Sequence, residues 1–203
     1  MTIIYQSVSH RWDGSSLPAD KQVFFTISVL ADSLVVSVDA PYYNNPPPAA
    51  PPGNCEGLWE HEVVELFIKG KLDKYLELEL GPRGHFLVLL CDGYRQCFVR
   101  KLVPINYEAK INGDRWTARL EISLDLLPPC ADIFGAPFTF NAFAMHNDPQ
   151  REYCIAFPPA DAKVYPVPDF HKLELFRPLD ISVGDTSKSS ESVWLDRTTF
   201  LRE

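Results

Sequence analysis

The residues best placed to do chemistry are three glutamates embedded in strand-like text. Glu65 stands in Val63-Val64-Glu65-Leu66-Phe67-Ile68, and Glu77 and Glu79 stand in Tyr75-Leu76-Glu77-Leu78-Glu79-Leu80. Alternate side chains of an extended chain share a face, so Tyr75, Glu77 and Glu79 lie opposite Leu76, Leu78 and Leu80. Two such carboxyls ~5–10 Å apart are the equipment of a glycoside hydrolase. The same pair, without turnover, accepts bidentate hydrogen bonds from a polar ligand. The strict alternation reads as a half-wet sheet with Glu77 and Glu79 turned to solvent. Glu65 differs, because its apolar neighbours on both faces imply burial beside a partner such as Arg119 or Arg151.

A second group lies further along, in the hairpin Phe138 to Phe157. With Asn147-Asp148-Pro149-Gln150 as a four-residue connection, His146 faces Arg151 and Ala144 faces Tyr153. That register gathers His146, Arg151 and Tyr153 on one side, and sends Asn141 and Glu152 to the other. Trp59, Tyr42, Tyr43 and Tyr165 sit in or beside loops, where rings can stack on a sugar. Trp116 alternates with Ala118 and Leu120, as a core residue does.

Other chemistries find no support. His61-Glu62-Val63-Val64-Glu65 superficially matches the zinc motif HExxH, but it lacks the second histidine and its valines favour a strand. His10, His85, His146 and His171 show no metal-ligand spacing. There is no GxSxG elbow, P-loop or GxGxxG. No cofactor and no metal motif is expected, though calcium ligands need not be sequence-local and a site built from loop carboxylates stays open.

The elements that must hold these residues are short strands. They are predicted near 3–9, 22–29, 34–40, 62–69, 74–80, 85–91, 96–103, 115–122, 138–146, 151–157 and 171–176, with turn residues between them. Only Asp125 to Pro129 suggests a helical turn. Many strands without a βαβ rhythm favour a sandwich. Pro41 to Gly57 is too proline-rich for a central strand and forms a long loop. Ser182 to Ser192 reads as a polar linker. Val193-Trp194-Leu195 beyond it reads as a segment that docks back onto the domain.

The 203 residues carry a formal charge of −8, which argues against nucleic acid or an anionic membrane as partner. The longest apolar run, Phe86 to Cys91, is far below the ~20 residues of a membrane span. Five cysteines without a CxxC pair, and an N-terminus unlike a signal peptide, point to the cytoplasm and to thiols without disulfides.

Several motifs together resemble the uncharacterised chromosome 4 open reading frame 33 protein family. They include Trp12-Asp13-Gly14, Leu58-Trp59-Glu60-x-Glu62-Val63-Val64-Glu65, Tyr75-Leu76-Glu77-x-Glu79, Phe140-Asn141-x-Phe143-Ala144-x-His146 and Asp169-Phe170-His171. More distantly, the order of Trp59, Val64-Glu65-Leu66-Phe67, Tyr75-x-Glu77, Pro82-x-Gly84 and Phe140-Asn141 is similar to carbohydrate-binding module family 9. That resemblance implies a jelly-roll sandwich that holds sugar ends between aromatic rings. The chain departs from it at Ala144, where those relatives usually carry Arg, and at Phe157, where they tend to carry Trp.

The expectation is therefore an all-β, single-domain antiparallel β-sandwich of jelly-roll type with long loops. The sandwich spans 1–181, including the proline-rich loop 41–57, and 182–203 holds the polar linker and docked segment. Its expected work is non-catalytic binding of a small polar ligand, a saccharide first. The expected contacts are Trp59, Glu65, Tyr75, Glu77, His146, Arg151, Tyr153 and His171. The alternatives are a hydrolase using the paired glutamates and a protein-interaction module using the proline-rich loop.

Overall fold

The computed structural model describes residues 3–99, 102–130, 136–181 and 193–194. Its strands in chain order are β1 (Ile3–Val8), β2 (His10–Arg11), β3 (Val23–Leu30), β4 (Ser33–Pro41), β5 (Gly53–Asn54), β6 (Val63–Lys69), β7 (Lys74–Leu80), β8 (His85–Asp92), β9 (Cys97–Val99), β10 (Asn106–Asn112), β11 (Arg115–Ser123), β12 (Phe138–Asn147), β13 (Arg151–Ile155) and β14 (Arg177–Leu179). They form two sheets. One has the order β1-β3-β4-β11-β10; the other runs β2-β13-β12-β6-β7-β8-β5, with β14 on β12 and β9 on β8. Pairing is antiparallel throughout except between β5 and β8.

The inner faces of the sheets meet in one apolar core. Leu66, Leu76, Leu78, Val88 and Ala142 of the larger sheet face Ile27, Val36, Trp116 and Leu120 of the smaller. Phe25 and Phe140 touch edge to face across the gap, with ring centroids 6.4 Å apart. The helical turn expected near Asp125 is a 3₁₀ turn over Leu124–Leu126, capped by the Ser123 hydroxyl. The strand set departs from expectation: β2, β5, β10 and β14 are additional, and one predicted strand is absent. Asn106–Asn112 pairs at a sheet edge, and 171–176 is occupied by a 3₁₀ turn, Leu173–Leu175, instead of a strand.

The proline-rich loop is extended and stapled to the domain at intervals. The Glu62 carboxylate accepts from the Tyr43 and Asn45 backbone N–H groups at 2.9 and 3.2 Å. His85 Nε2 meets the Ala50 carbonyl at 2.9 Å, and Gly53–Asn54 then joins the sheet as β5. The segment Ser182 to Ser192 lies outside the described residues, as does Leu195. No helix among the described residues is long and apolar enough to cross a membrane.

Trp194 is 1% exposed, in the inter-sheet core. Its indole Nε1 donates to the Leu127 carbonyl at 2.9 Å, and its ring meets Phe98 edge to face. Trp194→Ala should therefore cost ~3–5 kcal/mol in urea unfolding, the usual penalty for emptying a buried indole site. A loss below ~1 kcal/mol would show that this residue does not contribute to the core.

Candidate functional site

The larger sheet is apolar on its outer face too. Val63, Phe67, Tyr75, Leu87, Leu89, Phe143 and Ile155 point away from the sandwich and pack under Trp12, Leu58, Phe170, Leu175 and Phe176. Those roof residues come from the ends of loops. Phe170 lies flat on Phe143 with centroids 4.0 Å apart, and Trp12 donates its indole N–H to the Tyr165 carbonyl at 2.8 Å. Gly57, at φ 82, starts the 3₁₀ turn Leu58–Glu60 that brings Trp59 over the sheet. The roof does not fill the space beneath it. A cavity of about 320 Å³ remains, with Glu65 and Glu77 in its floor and Trp59, Tyr153, Phe170 and His171 in its walls.

The floor is the unusual part. Glu65, Glu77 and Glu79 are 2%, 4% and 0% exposed. The expectation of solvent-facing Glu77 and Glu79 is thus corrected: the alternation is real, but the second face is covered by the roof. Glu65 stands directly opposite Glu79 in the β6–β7 register, an arrangement that repels when both are ionised. Burial, and then the neighbouring carboxylates, push Glu65 and Glu79 well above the usual carboxylate range. Glu65 Oε1 is enclosed without a hydrogen-bond partner. Among the described residues neither Glu79 carboxyl oxygen has a hydrogen-bond partner, and Glu77 beside it adds to the rise in its pKa.

Two guanidiniums stand at the rim. Arg151 donates to the Glu60 carbonyl at 2.8 Å and to the Trp59 carbonyl, which clips the 3₁₀ turn to β13. It also draws Glu65 back toward its ionised form, in opposition to burial. The partner expected as an alternative, Arg119, belongs to the other sheet and pairs with Glu121 at 2.8 Å. Arg95 reaches Asp169 at 3.0 Å, and Tyr94 donates to the same carboxylate at 2.9 Å. Burial raises the Asp169 pKa, but these hydrogen bonds prevail and hold it below its ordinary value.

A chain of hydrogen bonds ties the wall to the floor. The Arg95 backbone N–H donates to the Tyr75 hydroxyl at 3.2 Å, and that hydroxyl shares a hydrogen bond with His171 Nδ1 at 2.7 Å. Burial, then the Arg95 charge, lower the His171 pKa to about 4, so the ring is neutral at physiological pH.

The structure gathers Trp59, Glu65, Glu77, Arg151, Tyr153 and His171 around one cavity, with Tyr75 hydrogen-bonded just behind it. His146 is elsewhere. The loop closing the hairpin has three residues, so Asn147 faces Arg151 and His146 faces Glu152. This corrects the expected register by one residue, which moves His146 to the inner face. There it stacks on Tyr43 at 3.6 Å and meets Glu152 at 3.0 Å. Tyr42 also lies outside the cavity, with Arg83 and Asn44 on the proline-rich loop.

Sequence reasoning missed Arg95, Cys97, Met145 and Pro168, all in the lining. One signal for Arg95 is its left-handed backbone, φ 55, unusual for a residue with a side chain; from the sequence only Gly93 nearby hints at the turn. The absence of disulfides is also corrected. Cys91 and Cys97 are joined, because β8 and β9 form a hairpin that sets them directly opposite. Among the described residues, two clusters bring three potential ligand side chains within 4.8 Å, namely Glu77 with Cys91 and Cys97, and His146 with Glu152 and Cys154. The disulfide removes the thiolates of the first, and Arg11, 2.6 Å from Glu152, already answers the charge of the second.

No family model matches the chain. Curated relatives do. It is 34% identical over 177 residues to the UPF0462 protein C4orf33 homolog of Danio rerio, covering 84% of this chain and 85% of that one. It is 30% identical to the human UPF0462 protein C4orf33 over 197 residues, covering 93% and 95%. The chain belongs to the UPF0462 C4orf33 family. In fold, this family member is similar to a candidate carbohydrate-binding protein from Bacteroides uniformis, with a TM-score of 0.64 at 13% identity over 89% of this chain and 87% of that one. It is also similar to a carbohydrate-binding module family 9 protein from Caldicellulosiruptor kristjanssonii solved with cellotriose, with a TM-score of 0.52 at 12% identity over 85% and 81%. The UPF0462 chain is thus an antiparallel β-sandwich of that kind.

The buried carboxyls give a pH signature. Unfolded, each ionises near the ordinary 4.5; folded, each holds its proton to higher pH. Stability from this source is complete below about 4.5 and is lost as pH rises toward the folded values. Chemical denaturation should therefore show stability falling above pH 5 by up to about 1.4 kcal/mol per pH unit per group. Glu79→Gln should flatten that slope; an unchanged slope would contradict the account.

Proposed function

We propose that this protein is a non-catalytic module that binds a small polar ligand, a saccharide first, in the roofed cavity. The observation that carries the reading is the enclosed Glu65 Oε1, an acceptor without a donor inside a preformed space walled by Trp59, Tyr153 and Phe170. A sugar hydroxyl supplies the missing donor, and the rings supply apolar faces. The neutral His171 ring adds a polar edge to the same wall. The fold's likeness to proteins solved with cellotriose and glucose supports the same choice.

One observation favours a second reading, glycoside hydrolysis. Glu65 and Glu79, whose pKa values burial and the neighbouring carboxylates push well above the ordinary range, have the property a general acid needs. That reading requires Glu65→Gln to abolish turnover while sparing binding.

Thermal unfolding against mono- and oligosaccharides separates these cases. A ligand at ~100 times its Kd should add about 2.7 kcal/mol, which raises Tm by several degrees. The shift should disappear in Glu77→Ala. No shift with any sugar, in well-folded protein, would sink the proposal and direct attention to protein partners of the Pro41–Gly57 loop.

A further inference from the structure

The disulfide beside the cavity has two sulfurs that differ in reach. Cys91 is fully buried in the outer-face cluster, whereas Cys97 is half-buried and lines the cavity. A small molecule that enters this space meets Cys97 and not Cys91, and access decides which sulfur of a disulfide is attacked.

The place of the bond in the chain decides what it controls. It joins β8 to the three-residue β9 across a hairpin with Tyr94, Arg95 and Gln96 exposed near its tip. The outgoing arm is held separately, because Lys74 pairs with Asp92 at 2.5 Å and the Gly93 N–H donates to the Asp73 carbonyl at 3.0 Å. Beyond Cys97, the Phe98 ring packs on Trp194. The return arm from Tyr94 to Cys97 is what the disulfide itself restrains, and there Arg95 keeps the left-handed backbone that its side chain disfavours. That arm also holds the wall. Arg95 and Tyr94 both bind Asp169, the residue before Phe170 and His171, and the Arg95 N–H binds the Tyr75 hydroxyl.

We infer that Cys91 and Cys97 form a reversible redox pair addressed through the cavity, with Cys97 the sulfur that a small monothiol attacks, and that reduction loosens the cavity wall. The thiol gives its proton to water, and its thiolate bonds to Cys97 Sγ as the bond to Cys91 breaks. The electron pair leaves on Cys91, which takes up a proton. A second thiolate attacks the small molecule's sulfur in the mixed disulfide, and Cys97 leaves as a thiolate and is protonated. Two small thiols are thereby oxidised to one disulfide, while the protein's disulfide is reduced to two thiols. None of this needs the saccharide proposal.

The probe is 2-mercaptoethanol added to the folded protein. Thiols counted after denaturation should rise from three, Cys55, Cys130 and Cys154, to all five. Hydrogen exchange should then quicken at least ~10-fold at Arg95, Gln96 and His171, whose N–H groups are bonded in the oxidised form, and stay unchanged in β11. A disulfide that yields only when the protein unfolds overturns the inference. Unchanged exchange in reduced protein does the same, as does faster exchange throughout, β11 included, which marks a purely structural bond. With hydroxyethyl disulfide, Cys91→Ala should acquire an adduct on Cys97, and Cys97→Ala should leave Cys91 unmodified; the opposite pattern overturns the route of attack. Should either variant not fold, the thiol count and exchange of the unsubstituted protein still decide. Glucose calorimetry on both redox forms separates the two proposals. Affinity should fall on reduction, and equal affinity would overturn the inference; binding to neither form would sink the saccharide reading and leave the exchange result to decide this one.

Discussion

Everything distinctive here follows from the larger sheet being covered on both faces. A sandwich strand ordinarily places one row of side chains in the core and the other in water. In β6, β7 and β8 both rows are buried: the leucines between the sheets, and a second row under a roof of loops. Three glutamates in that second row are thereby deprived of water, which costs several kcal/mol per charge unless protons, arginines or a ligand compensate. The protein supplies protons by raising carboxyl affinity, and supplies Arg151 from β13, two strands from β6.

The roof is held by polar clips as well as by apolar packing. Arg151 ties the turn bearing Trp59 to β13, and Arg95 ties the β8–β9 hairpin to Asp169, next to Phe170 and His171. The Cys91–Cys97 bond closes the same hairpin. Charge compensation and roof position thus depend on the same side chains. Such coupling suits a preformed site, because little remains to be ordered when a ligand enters.

Much of the fold was legible in the sequence. Strands with strong apolar rhythm, such as Lys74–Leu80, stand where the alternation puts them. The edge strand Asn106–Asn112 was not legible, since its inward row is only Tyr107, Ala109 and Ile111 among polar residues. The site was partly legible: alternation correctly put Tyr75, Glu77 and Glu79 on one face. It did not reveal that the face is covered, because the covering residues lie some 90 positions away in the chain, around Phe170. His146 was displaced by a single-residue register difference that depends on a three-residue loop. Cys91 and Cys97 pair through hairpin geometry that no local motif announces.

The most direct test of a dry, coupled carboxyl cluster is the titration of the glutamate side chains, followed by ¹³C NMR of the carboxyl carbons in the ligand-free protein. The account predicts that most glutamates titrate near the ordinary value while Glu65 and Glu79 titrate well above it, with each shifted when the other is replaced by Gln. Titration of every glutamate near the ordinary value would mean that water reaches the floor, and the buried-charge argument would fall.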